Sequence, residues 1–260
     1  MGIGVETVAY VRFRPHIGPA RTQGKVSATT CIRRTERKDH MNHLPRRYLY
    51  FVLGVVINSF AIAFITKGNM GTSQISSVPY VFSLKYPLSF GTATFIFNLL
   101  FIIMQVALLR HNFRPVQLLQ VAVNLVFSLM IDVSMNLLGF LNPTALWERL
   151  LCVAIGCIIL AFGIVVEVSP NVLMVPGEGV VHALSIVTKM KLGTTKIIFD
   201  VTLIAIATVL SFVFFGGLCG VGVGTIVSAL CVGPIINCIN RRFRFPARIR
   251  SLALVTDRNR

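Results

Sequence analysis

From residue 48 to residue 239 the chain alternates long apolar runs with short polar interruptions. The runs at 48–66, 92–109, 116–138, 150–166, 195–214 and 225–239 lack the strict apolar–polar alternation of a transmembrane barrel strand. Most approach the ~20 residues that an α-helix needs to cross a bilayer. Two further stretches, 72–84 and 177–188, are shorter and semi-polar. The first holds Ser73, Gln74, Ser76, Ser77 and Pro79; the second opens with Gly177-Glu178-Gly179 directly after Pro176. Glycine and proline at such points interrupt a helix. The pattern predicts an all-α polytopic membrane protein of about six transmembrane helices plus two short broken or re-entrant helices. Eight shorter spanning segments are the alternative. The fourth long run is expected to end at Glu167, and the last to be interrupted at Gly233-Pro234.

Composition agrees with the pattern. The 260 residues are 55% hydrophobic and 13% charged, with a mean hydropathy of +0.77; a soluble domain is roughly a quarter charged. The formal charge of +16 changes meaning once it is placed along the chain. Ten of the 25 Lys and Arg precede Tyr48 and seven follow Ile239. Basic flanks at both ends fit the positive-inside rule with both termini cytoplasmic, and attraction to anionic headgroups is a secondary effect. The lipid bilayer is the expected partner; nucleic acid is not. None of the six cysteines forms a CxxC, and five lie in apolar runs, where they read as small packing residues. No metal-ligand spacing and no cofactor motif is present. Residues 1–40 share none of this pattern. They read as a basic leader, either disordered or upstream of a natural start at Met41, and 241–260 reads as a basic cytoplasmic tail.

The two halves of the apolar body resemble each other. Residues 90–98, FGTATFIFN, align with 192–200, LGTTKIIFD, at an offset of 102, and Gly54 aligns with Gly156 at the same offset. Gly71 aligns with Gly177 at an offset of 106, and 130–132 with 235–237 at 105. A duplication is expected, with a first repeat over 41–142 and a second over 146–240. If the short segments re-enter, each half has three spans and the repeats are inverted. If they cross, each half has four and the repeats are parallel. Membrane proteins with glycine-interrupted segments at matching positions of two repeats are often transporters, with a site where the broken helices meet.

Charge inside such a body is the main chemical signal. An ionisable side chain at mid-membrane is expensive unless paired or wetted, so it marks a functional candidate. Glu178, between Gly177 and Gly179, is the first choice, able to hold a proton, a cation or a solute's ammonium group; the plainer reading is a carboxylate favoured by a helix N-terminus. Lys196 and Asp200 are four apart and share one helix face. They form either a charge-compensated cavity lining or a self-satisfied pair. Asn98, the repeat counterpart of Asp200, is expected to line the opposite side. His182 lies one turn after Glu178, as a proton relay or a packing residue. Gly71, Thr72, Ser73 and Gln74 are the first-half equivalents of the Glu178 environment, offering neutral oxygens and amides or serving as helix caps. Asp132, flanked by Ser128 and Asn136 at i−4 and i+4, is a site candidate or an interfacial capping contact.

Gly71-Thr72-Ser73, Val175-Pro176-Gly177-Glu178-Gly179 and Gly193-Thr194-Thr195-Lys196-Ile197-Ile198-Phe199-Asp200 together resemble the YitT/YczE family of bacterial integral membrane proteins, on the YczE side. The resemblance covers about 46–244. It implies a multi-pass protein of the bacterial cytoplasmic membrane with duplicated halves, and no established substrate or reaction.

Enzyme signatures are absent: no HExxH, no Walker loop, no GxSxG. The sequence therefore points to a secondary transporter or permease for a small polar or zwitterionic solute, coupled to H⁺ or Na⁺. The alternative is a non-transporting membrane partner: a sensor, an assembly factor or a substrate-binding subunit. Homo-oligomerisation is left open.

Overall fold

The computed structural model describes residues 28–110, 118–243, 245–246 and 249, with side chains from Pro45 onward. The expected leader lies outside the described residues up to residue 27, as does most of the expected tail. Among the described residues eight α-helices follow one another: α1 Ala28–Lys67, α2 Gln74–Lys85, α3 Phe90–Leu109, α4 Leu119–Leu137, α5 Leu146–Val168, α6 Pro176–Thr188, α7 Leu192–Phe215 and α8 Val223–Arg242. No strand occurs among the described residues.

Six of these helices are long and apolar enough to cross a membrane, with α1 counted from Pro45. The protein is thus an all-helical, multi-pass membrane protein. The eight-span alternative fails on length. Helices α2 and α6 have 12 and 13 residues, about 18–20 Å at 1.5 Å per residue, against a hydrocarbon core of about 30 Å. Two expectations need correction. Helix α8 runs unbroken through Gly233-Pro234, because membrane helices absorb a proline locally and no atom crowds Gly233 within 4 Å. Helix α5 does not end at Glu167. It continues to Val168 with Glu167 inside it, buried against α1.

The tightest crossing joins α1 and α5. Gly54 faces Glu167, Gly163 faces Asn58, and Gly156 faces Ile65, an antiparallel register. Small residues at these points let the two backbones approach, which is how membrane helices gain packing energy without a hydrophobic driving force. Each short helix then packs on both α3 and α7: α2 and α6 meet both of them. Val78 and Val81 of α2, Phe101 of α3, Val180 of α6 and Leu203 and Ala207 of α7 share one buried cluster. On the outside of the crossing, α1 carries α4 and α5 carries α8. A polar seam joins α3 to α4: Asn98 Nδ2 donates to Asn124 Oδ1 at 2.8 Å, and Asn124 Nδ2 to the Phe95 carbonyl at 3.0 Å.

Candidate functional site

The first break lies between α1 and α2. Asn69 and Gly71 take positive φ angles of 55° and 110°, the second of which favours a glycine. A Cβ at Gly71 would overlap the Thr225 hydroxyl. The N-terminus of α8 seals this turn. Gly224 N donates to the Met70 carbonyl at 2.7 Å, and Thr72 N donates to Thr225 Oγ1 at 3.2 Å. Thr72 is fully buried, its hydroxyl 2.8 Å from that of Thr66. Ser73 stands at the N-cap of α2 without a side-chain capping bond, and Gln74 is half-buried at its start. The hydroxyl and the N–H of Thr72 are therefore engaged within the fold. The two breaks do approach each other, through an apolar contact: Ile75 Cγ2 sits 3.0 Å from where a Cβ on Gly177 would be.

The second break is pinned from two sides. Arg47 of α1 is buried and donates from Nε to the Pro170 carbonyl and from Nη2 to that of Asn171, each at 3.0 Å. Gln105 of α3, also buried, donates from Nε2 to the Pro176 carbonyl at 2.9 Å. Gly179 leaves room for that amide, since a Cβ there would overlap Gln105 Oε1. Pro176 occupies the first helical position of α6, where its missing N–H breaks no bond. Glu178 falls in the first turn of α6, with the helix dipole favouring its charge. His182 follows one turn later, half-buried.

The other membrane charges stand on α5 and α7. Lys196 Nζ lies 3.5 Å from Asp200 Oδ2 along α7. Asp200 Oδ1 is buried without a hydrogen-bond partner. Glu167 is 4% exposed and accepts a hydrogen bond from Asn58 Nδ2. Carboxyl groups on α5, α6 and α7 thus lie within the apolar body, the one on α7 with a lysine beside it.

Two predicted residues stand elsewhere. Asn98 does not face Asp200; it is buried against Asn124 in the α3–α4 seam. Asp132 closes the N-terminus of α3, accepting from Gly91 N at 2.7 Å and Ser89 Oγ at 2.6 Å. A cavity of about 440 Å³ lies between α3, α6 and α7, lined by Phe101, Met104, Leu184, Phe199 and Leu203 among others. Its wall is almost wholly apolar, and none of the candidate charges lines it.

Glu167, Asn58, Gln105 and Arg47 escaped the sequence reading. Gln105 and Asn58 could have been found as polar residues in mid-span; Arg47 looked like one more flanking arginine.

The sequence profile of a family described as "Family of unknown function (DUF6198)" matches residues 45–241. The chain is also similar to "Uncharacterized protein YyaS" of Bacillus subtilis (strain 168), with 24% identity over 196 residues, covering 73% of this chain and 90% of that protein. No solved structure matches.

Proposed function

Starting from a chain that belongs to DUF6198, a family of unknown function, we propose a secondary transporter of a small polar or zwitterionic solute, built from two duplicated halves in the bacterial cytoplasmic membrane. One observation carries the reading: Asp200 Oδ1 is a buried acceptor with no hydrogen-bond partner, on a side chain whose other oxygen lies 3.5 Å from Lys196 Nζ. A buried carboxylate oxygen left unsatisfied costs free energy unless a ligand donates to it. A solute ammonium group would donate to Asp200 and Glu178, and a solute carboxylate would take Lys196 and the first N–H groups of α6.

The duplication is supported by exchanged contacts. At the offset of 102, Gly54 maps to Gly156 and Ile65 to Glu167, and the two crossings of α1 on α5 are Gly54 with Glu167 and Gly156 with Ile65. The likewise exchanged pairs α2–α7 and α6–α3 fit the same two-fold. Three spans and one short helix per half make the repeats inverted, as in many secondary transporters. The YitT/YczE likeness of the PGEG and GTTKIIFD stretches belongs to the same reading.

The test is the thermal stability of the purified protein against a panel of amino acids, amines and small zwitterions. A ligand at a hundredfold excess over its Kd stabilises the folded state by about 2.7 kcal/mol. The expected result is a hit that E178Q and D200N both abolish while remaining folded. A flat panel with a well-folded protein would favour the non-transporting partner instead.

A further inference from the structure

The α1–α5 crossing holds one group that its packing does not require. In the first-half register, fully buried Ile65 fits against Gly156 as an apolar knob. In the second-half register the same place against Gly54 is taken by Glu167. Hydrocarbon serves one copy of the crossing; the other copy carries a carboxyl group, 4% exposed. Among the described residues no lysine, arginine or histidine pairs with it. Its hydrogen-bond partner is Asn58, itself 4% exposed, which donates from Nδ2 and leaves Oδ1 buried and unpartnered.

We propose that Glu167 is a proton-binding site set into the α1–α5 crossing, with Asn58 as the amide that accommodates both of its protonation states. An ionised Glu167 accepts from Asn58 Nδ2. A protonated Glu167 can donate to Oδ1 once the amide turns over, since a primary amide presents a donor on one side and an acceptor on the other. Gly163, against Asn58, supplies the space for the amide. The step is COO⁻ + H⁺ ⇌ COOH, with the amide reorienting and no other bond changed. A metal cation fits poorly. Hard cations take about six oxygen ligands, whereas the crossing offers two from Glu167 and one from Asn58, walled by Gly54, Gly163 and helical backbone.

Other charges surround the site at a remove. On α1, Arg47 is held by the Pro170 and Asn171 carbonyls. On α6 stand Glu178 and His182, and on α7 the Lys196–Asp200 pair. On α8, Cys231 and Cys238 are exposed, as are Arg241 and Arg242. On the transport reading, a proton gained at Glu167 removes one negative charge from the membrane interior that holds the solute site. That coupling role rests on the transport reading above; the titration of Glu167 does not.

Infrared spectroscopy of the purified protein in lipid nanodiscs, titrated from acidic to alkaline pH, tests the site with the proton as its own probe. The expected result is a protonated-carboxyl C=O band that fades as pH rises, is missing in E167Q, and persists in E178Q. E167I, which copies Ile65 of the other half, should fold with a melting temperature at or above that of the wild type and show no such band. A band unchanged by E167Q, or one that is invariant with pH in the folded protein, overturns the proposal. A titrating Glu167 band with no ligand hit removes the transport reading and keeps the proton site; a ligand hit with no Glu167 band does the reverse.

Discussion

Single glycines decide how closely the helices of this protein meet. A Cβ at residue 54 would overlap the backbone of Glu167, which cannot move aside as a side chain can. A Cβ at residue 193 would meet nothing within 4 Å. Overpacking a tight contact costs about 1–3 kcal/mol, while alanine at an uncrowded helix position gains roughly 0.5–1 kcal/mol over glycine. Gly54→Ala should therefore lower the melting temperature in detergent and Gly193→Ala should hold or raise it; equal effects would contradict the α1–α5 register. The same scale separates what the sequence disclosed from what it hid. Glu178, Lys196 and Asp200 stood out because charge inside an apolar run has no bland surface to occupy. Glu167 was hidden by its place just before Ser169-Pro170, where a charge normally marks a membrane boundary. Only the α1 partner, invisible in local sequence, turns it inward. Arg47 was masked for the same reason, beside Arg46 at the usual position of a flanking cation.

At the scale of elements, hydropathy located the helices to within a few residues except at the start of α1, which begins at Ala28 rather than at Tyr48, because length and apolarity are what a bilayer selects and the polar turns before Tyr48 carry no such signal. Pairing between helices was less legible. Nothing in the α3 run says that Gln105 reaches the first carbonyl of α6, yet that bond and Gly179 fix where the short helix begins. Gln105→Leu keeps the volume and removes the donor, leaving the Pro176 carbonyl buried without it. The carbonyl keeps its intrahelical bond, so the loss is that of one hydrogen bond, about 0.5–1.5 kcal/mol, and it should fall locally. Hydrogen exchange is expected to speed up over residues 176–188 while the α1–α5 crossing stays protected. Uniform exchange across the protein, or none beyond the wild-type rate in α6, would mean that the apolar cluster around Val180 holds the helix by itself. Asp132 illustrates the opposite case. Its sequence position allowed either a site or a cap, and the Gly91 and Ser89 bonds commit it to the cap.

For the whole molecule, the informative feature is where the two halves differ. In the first half α3 and α4 are closed: Gly91 meets the Ser128 carbonyl, Asp132 caps α3, and Asn98 binds Asn124. At the repeat offsets of 102 and 105, Gly91 and Ser128 become Gly193 and Gly233, and Asp132 becomes Asn237. Neither Gly193 nor Gly233 has any atom within 4 Å of a built Cβ, Asn237 is exposed, and α7 and α8 make no crossing comparable to α3–α4. Two glycines at the points where a crossing would form are a costly choice for helices that never cross, given glycine's poor helix propensity. They fit a second arrangement in which α7 and α8 close on each other. On the transport reading proposed above, one half rocks against the other, and the mirror of the arrangement seen here is the second state it predicts. A double variant, G193C with G233C in a background lacking the native cysteines, should form a disulfide in membranes under mild oxidant. A ligand or pH that favours one state should change its rate. Because the two residues face open space here, a disulfide that forms reports a closed conformer, and its absence under all conditions would leave α7 and α8 as a fixed, open wall and end the rocking account.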